Sequence, residues 1–137
     1  MPRSRHPVPK CYLVIAYAPQ GITAAEGNDA FNAYIADPGR GLVLTHDHFV
    51  GRVGGFAVFA CTAAGEVERL EDAPELPGWS LHVHPLTFST TAVDWLYQAD
   101  FTLAAYRGRR LAGLYEDYRS SPQRARLDAR WPTGPPA

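Results

Sequence analysis

Two stretches of the chain alternate between apolar and polar residues, as half-buried strands do, and each contains two histidines separated by one residue. In residues 79–89, WSLHVHPLTFS, the alternation places Leu81 and Val83 on one face of a strand and His82 and His84 on the other. The pattern therefore predicts a strand that buries one face and presents two imidazoles on its other face.

The earlier stretch, residues 41–50 with the sequence GLVLTHDHFV, follows the same rule. Leu42 and Leu44 have the same parity as His46 and His48, so the alternation predicts that all four side chains share a face. Four of the five histidines in the chain thus fall into two pairs on two predicted strands.

Two further runs are apolar on both parities, which is typical of strands buried on both faces: CYLVIAYA in residues 11–18 and FAVFACT in residues 56–62. A helix is predicted over residues 23–36, where Thr23 and Glu26 have the spacing of a capping box. A short acidic helix follows the third strand. The order is β-α-β-β-α-β, the ferredoxin-like plait, in which the first and third strands are central and the two histidine strands are the edges.

The pattern changes after Ser89. Apolar and aromatic residues recur at helical spacing as far as Arg119, with an interruption at Arg107 and Gly108. An aromatic helix after a completed plait favours packing on the sheet or on a second subunit. The predicted fold class is therefore α+β, a ferredoxin-like plait with an added C-terminal helix.

Length and composition fit one globular domain, since the chain has 137 residues, 46% of them hydrophobic and 20% charged. We expect a single domain over residues 11–120, with a flexible arm at 1–10 and a flexible tail at 121–137. No apolar run approaches the roughly 20 residues that span a bilayer. The run after the N-terminal charges is more typical of a strand than of a signal peptide, so we expect a cytoplasmic protein with no membrane partner.

Charge is unevenly distributed along the chain. Residues 107–137 carry seven arginines against three acidic residues, whereas residues 11–106 are strongly acidic. Basic ends can indicate nucleic-acid binding, but no stacking platform or known motif accompanies them, so nucleic acid is not an expected partner. The two cysteines, Cys11 and Cys61, lie in apolar runs and are expected to be buried free thiols.

These features together resemble the dimeric α/β-barrel superfamily, and within it the YCII-like proteins. The resemblance rests on CYLVIAYA, GLVLTHDH, GGFAVFA, the short acidic helix and a last strand entered by Pro-Gly-Trp, and it covers about residues 11–90. It implies a homodimer whose sheets meet face to face. It also implies a catalytic His in the first helix and an Asp before the last strand. Residues 23–36 contain no His, whereas Asp72 matches the Asp and becomes a candidate catalytic residue.

The four paired histidines, His46, His48, His82 and His84, are candidate catalytic residues and candidate metal ligands. Two imidazoles two residues apart lie about 6–7 Å apart along a strand, which suits two ligands of one zinc or other transition metal. If the two strands are opposite edges, only a dimer brings both pairs to one ion. General acid–base catalysis and plain hydrogen-bonded edge histidines are the alternatives.

The sequence contains no nucleophile elbow, phosphate-binding loop or other cofactor motif. The resemblance implies a homodimer, and we expect it to bind a small molecule in a cleft between the sheet and the partner subunit. The alternative is a small-molecule enzyme of isomerase, lyase or hydrolase type that uses histidine acid–base or metal chemistry. Arg52 and Tyr17 are further polar candidates near strand ends.

Overall fold

The computed structural model describes residues 8–128 of the chain. By internal contacts the chain divides into two compact units, Met1–Trp95 and Leu96–Ala137. The first unit contains the sheet and the second is helical. The single domain expected over residues 11–120 extends across this boundary, and its limits stay a prediction.

Four antiparallel strands form one sheet: β1 (Lys10–Tyr17), β2 (Leu42–His48), β3 (Gly54–Cys61) and β4 (Ser80–Pro85). Their order across the sheet is β2-β3-β1-β4. The two runs that are apolar on both parities are thus the central strands, and the two histidine strands are the edges. The fold is α+β, and this strand order is compatible with a ferredoxin-like plait.

Two helices of the first unit connect the strands, α1 (Ala24–Ile35) and α2 (Glu66–Glu71). The predicted cap of α1 is present, because the Thr23 hydroxyl oxygen accepts a hydrogen bond from the Glu26 backbone N–H at 3.2 Å. The same hydroxyl donates to the Glu26 carboxylate at 3.0 Å. A short 3₁₀ turn, Pro38–Arg40, follows α1 and leads into β2.

Both helices pack on one face of the sheet, which we call the helix face. Its buried core joins residues of β1, β3, α1, α2 and the loop before β4: Val14, Ala16, Phe31, Tyr34, Ile35, Ala57, Phe59, Cys61, Leu70 and Leu76. Leu81 and Val83 pack against this core, as the alternation of β4 predicts.

We call the opposite face the Tyr17 face, since it carries the alternate residues of β1, namely Leu13, Ile15 and Tyr17. A smaller buried cluster lies there, formed by Cys11, Val58 and Ala60 with Leu13, Leu44, Leu86 and Trp95 packed against it. Both predicted thiols are buried and unpaired.

The register of β2 against β3 shifts between Val43 and Thr45, which marks a β-bulge. Beyond the shift, His46 pairs with Ala57 on the helix face, whereas Leu44 packs against the cluster of the Tyr17 face. The prediction that the two leucines and the two histidines of this strand share one face is therefore wrong. The physical reason is that a bulge inserts one residue and reverses the alternation, and nothing in the strand's sequence marks its position.

Three helices follow the sheet: α3 (Ala92–Arg107), α4 (Leu111–Arg119) and α5 (Pro122–Asp128). Gly108, at φ +64°, lies between α3 and α4. The Asp100 carboxylate accepts a hydrogen bond from the Leu111 backbone N–H at 2.8 Å at the start of α4. The flexible tail expected at 121–137 includes α5, and its residues 129–137 lie outside the described residues. Residues 1–7 of the expected arm at 1–10 also lie outside them.

Candidate functional site

The two histidine pairs lie on opposite edges of the sheet and on opposite faces. His46 and His48 stand on the helix face of β2. His82 and His84 pair with the alternate residues of β1 that define the Tyr17 face. One subunit therefore does not bring the pairs together, and within residues 8–128 no three His, Cys, Asp or Glu side chains are grouped to hold a metal ion. Zinc bound by both pairs stays a prediction for a dimer.

Of the helix-face pair, His48 contacts α1. The rings of His46 and His48 stand nearly perpendicular, with centroids 5.8 Å apart. His48 Nε2 lies 3.1 Å from Asn32 Oδ1, and its ring meets the edge of Phe31 at 5.9 Å. Asp47 points to the Tyr17 face, as the alternation predicts, so its side chain does not orient either ring.

His48 also has a polar atom without a partner. If its Nε2–H donates to Asn32, its Nδ1 is a lone-pair acceptor. That Nδ1 is buried and accepts no hydrogen bond from any described residue. Sequence reasoning missed Asn32, because the contact joins a helix to a strand across sixteen residues and leaves no periodic signal.

One histidine of the Tyr17-face pair, His82, contacts a serine. Ser80 and His82 alternate on β4, and Ser80 Oγ lies 3.0 Å from His82 Nε2. Both residues are exposed. This distance is within the range that lets a histidine take a proton from a hydroxyl, although no described carboxylate orients His82 through its other nitrogen. His84 lies further along the same edge, opposite Leu13.

Aromatic side chains fill the neighbouring part of this face. Tyr17 lies 5.4 Å from Phe49, and Phe49 lies 6.5 Å from Phe56, measured between ring centroids. The Arg52 guanidinium, from the β2–β3 hairpin, stands 3.8 Å above the Tyr17 ring. Tyr17 also pairs directly with Ser80 on β4. The structure therefore brings together three of the residues that the sequence singled out: Tyr17, Arg52 and His82.

A cleft of about 390 Å³ adjoins this cluster. It lies between the β1–α1 loop and the β2–β3 hairpin and is lined by residues 18–22 and 51–53. Gly21 and Gly51 adopt positive φ values of +91° and +92°, which lets both loops turn sharply beside the cleft. Arg52 belongs both to the cleft wall and to the aromatic cluster.

Asp72 lies apart from these groups. It follows α2 directly, its side chain is exposed, and its backbone carbonyl accepts a hydrogen bond from Arg40 Nη2 at 2.6 Å. The structure thus shows a local structural contact for Asp72 and no contact with a histidine.

Arg40, which sequence reasoning missed, is fully buried and highly connected. Its guanidinium donates to the carbonyls of Tyr34, Arg69 and Asp72 at 2.6–2.9 Å, and to the Glu75 carboxylate at 3.0 Å. It also stacks 3.9 Å from the Tyr34 ring centroid. Burial is the largest influence on the pKa of Glu75 and would raise it, but hydrogen bonds, chiefly from Arg40, lower it overall.

No protein-family model matches the chain, and comparisons with curated proteins and with solved structures yield no match. The resemblance to YCII-like proteins, and the role it assigns to Asp72, therefore remain predictions from the sequence. Among the described residues, no helix combines the length and the apolarity that a membrane crossing requires.

Proposed function

We propose that this protein is a homodimeric small-molecule-binding protein of the ferredoxin-like, dimeric α/β-barrel type, most like the YCII-like proteins. Its ligand lies against the Tyr17 face, in a cleft shared with the partner subunit. The buried free thiols Cys11 and Cys61 suit a reducing compartment, and we place the protein in the cytoplasm.

The observation that carries this proposal is the difference between the two sheet faces. The helix face is a closed core of buried apolar residues. On the Tyr17 face, Ile15, Tyr17 and Phe56 are only partly buried, and the edge strand beside them presents His82 and His84 to solvent. Partly buried apolar side chains with polar groups at their margin are what a ligand or a partner surface covers.

The assembly is tested by sedimentation at tens of micromolar, comparing the wild type with Ile15→Glu. A carboxylate among the apolar side chains of the Tyr17 face would lose its hydration in the dimer, so this variant is expected to sediment as a monomer. Ala33→Glu, at an exposed position of α1, is the matched control and is expected to stay dimeric. Circular dichroism verifies that both variants fold. A monomeric wild type would overturn the proposed assembly.

Ligand binding is tested by an NMR screen of neutral and charged aromatic fragments against the wild type. We expect amide and ring signals of Tyr17, Phe49 and Phe56 to shift, and those of the helix-face core to stay in place. Fragments that shift only helix-face signals, or none at all, would contradict the proposed ligand face.

A second candidate function is a small-molecule enzyme that uses histidine acid–base chemistry, and one specific contact favours it. Ser80 Oγ and His82 Nε2 lie 3.0 Å apart beside the aromatic cluster, which suits a hydrolase-type nucleophile and base. Hydrolysis of p-nitrophenyl acetate tests it. Ser80→Ala and His82→Ala should each reduce the rate about a hundredfold, while His84→Ala leaves it nearly unchanged. Equal rates in all three variants would exclude this pair as the catalytic group.

A further inference from the structure

We propose that the ligand of the Tyr17 face is an organic anion, a carboxylate with an aromatic or apolar body, and that Arg52 binds its carboxylate. The inference rests on the proposed function, because it names the ligand class of the same face. It is carried by the unpaired charge of Arg52, by its stacking on Tyr17, and by the apolar surface beside both residues.

No described residue neutralises the charge of Arg52. The described part of the first unit contains three arginines, of which Arg40 bonds the Glu75 carboxylate and Arg69 bonds the Asp37 carboxylate at 2.6 Å. Arg52 makes no ion pair and no side-chain hydrogen bond with any described residue. A guanidinium has five N–H donors in a planar fork, and no residue of the described part of the chain accepts a hydrogen bond from those of Arg52.

The stacking on Tyr17 gives this free guanidinium a defined position. Its central carbon stands 3.8 Å from the ring centroid, so the guanidinium lies over the π face and its N–H donors are left for an acceptor at its rim. A cation held in place before binding loses less side-chain entropy when it forms a bidentate pair with a carboxylate. The geometry therefore favours a planar oxyanion over a cation or a neutral polar group.

The surface next to Arg52 is suited to the rest of such a ligand. The Tyr17, Phe49 and Phe56 rings form a continuous row that is only partly buried. An aromatic or apolar body can stack on this row while its carboxylate meets the guanidinium. The adjoining cleft of about 390 Å³ has the size of a small-ligand pocket.

The test uses the full chain and two pairs of probes that differ only in charge, benzoate with benzamide and indole-3-acetate with indole-3-acetamide. NMR titration follows the Arg52 Nε–H and the Tyr17 ring signals. We expect each carboxylate to bind about tenfold or more tightly than its amide, since a hydrogen bond to a charged group contributes that much.

Substitutions of Arg52 and Tyr17 measure separately what the charge and the aromatic ring contribute to affinity. Arg52→Gln should weaken carboxylate binding about tenfold or more and leave amide binding unchanged, and Arg52→Lys should give an intermediate loss. Arg119→Gln, which removes one exposed positive charge in α4, is the matched control and should change affinity less than about twofold. Tyr17→Phe should retain binding because the ring stays, whereas Tyr17→Leu should lose it.

The possible outcomes distinguish a failure of the anion inference from a failure of the proposed function on which it rests. Amides that bind the Tyr17 face as tightly as carboxylates, or equal carboxylate affinity in Arg52→Gln and wild type, would overturn the anion inference and leave the ligand face intact. Failure of all four probes to shift any Tyr17-face signal would overturn the inference and also remove the support for the proposed ligand face.

Discussion

The two faces of the sheet use the same strands but employ their polar residues differently. On the helix face, the Arg40 guanidinium is buried and bonded to three carbonyls and a carboxylate, and the Tyr34 hydroxyl donates to the Leu70 carbonyl at 2.6 Å. On the Tyr17 face, Arg52 and the Tyr17 hydroxyl bond no described residue. The bonded groups of Arg40 and Tyr34 therefore stabilise the fold, whereas the donors of Arg52 and Tyr17 are those that we propose for ligand binding.

The largest expected effect comes from the paired substitutions Arg40→Met and Arg52→Met. Removal of Arg40 takes one donor from each of the Tyr34, Arg69 and Asp72 carbonyls and the cation from Glu75, so we expect a loss of about 3–5 kcal/mol in the free energy of unfolding. Removal of the exposed Arg52 should change it by less than about 0.5 kcal/mol. Urea denaturation followed by circular dichroism measures both. Equal losses of stability in Arg40→Met and Arg52→Met would contradict this difference between the two faces.

Two tyrosine substitutions test the same difference between the faces, with a smaller expected loss of stability. Tyr34→Phe leaves the buried Leu70 carbonyl without a donor and should cost about 1–2 kcal/mol. Tyr17→Phe removes a hydroxyl that bonds no described residue and should be nearly neutral for stability. The measurement is again urea denaturation. A loss of stability in Tyr17→Phe as large as in Tyr34→Phe would show that the Tyr17 hydroxyl stabilises the fold and is not available to a ligand.

Much of this contrast is visible in the sequence, but not all of it. The central position of β1 and β3 follows from runs that are apolar on both parities, and the start of α1 follows from the spacing of Thr23 and Glu26. These signals are local, since they depend on neighbours within a few residues.

The missed features all depend on contacts between distant residues. The bulge in β2 puts its two histidines and its two leucines on opposite faces, although the spacing of these residues in the sequence predicts a single face. Arg40 stands between two glycines in a turn, where an arginine is normally exposed, and all the hydrogen-bond acceptors of its side chain except the Tyr34 carbonyl lie 29–35 residues further along the chain. The partner of His48 is likewise set by packing of α1 on the sheet.

Acid should weaken the helix-face network in a defined direction. The backbone N–H of Gly39, and then the Arg69 side chain, hold the pKa of Asp37 below its ordinary value of 3.8. Burial would raise the pKa of Glu75, but hydrogen bonds, chiefly from Arg40, hold it below its ordinary value of 4.5. The stability that these carboxylates contribute is complete above their ordinary values and is lost as the pH falls through the lower values of the folded protein.

Urea denaturation at pH 7, 4 and 3 measures this loss. We expect the free energy of unfolding to fall below about pH 4, and the fall to be shallower in Asp37→Asn and in Glu75→Gln. Asp47→Asn, which removes a carboxylate from the Tyr17 face, is measured beside them for comparison. A slope unaffected by Asp37→Asn and Glu75→Gln would place the acid-sensitive groups elsewhere in the chain.

The smallest expected effect is that of zinc. A histidine pair supplies two ligands, and the opposite faces of His46 and His82 mean that a closed site needs a second subunit. Zinc should therefore raise the melting temperature by only a few degrees, and only in a protein that dimerises. Protons compete with the metal for imidazole, so the rise should disappear at acidic pH.

The zinc effect is measured as melting curves with zinc and with chelator, together with elemental analysis of the purified protein. His82→Ala and His48→Ala are tested separately, because the two pairs lie on different faces. Loss of the zinc effect in His82→Ala alone assigns the metal to the Tyr17 face, where it would compete with an organic anion for the same surface. Its loss in His48→Ala alone assigns the metal to the helix-face pair, where the buried Nδ1 of His48 has no partner among the described residues. Curves that coincide with and without zinc in the wild type would leave all four residues as ordinary histidines of edge strands.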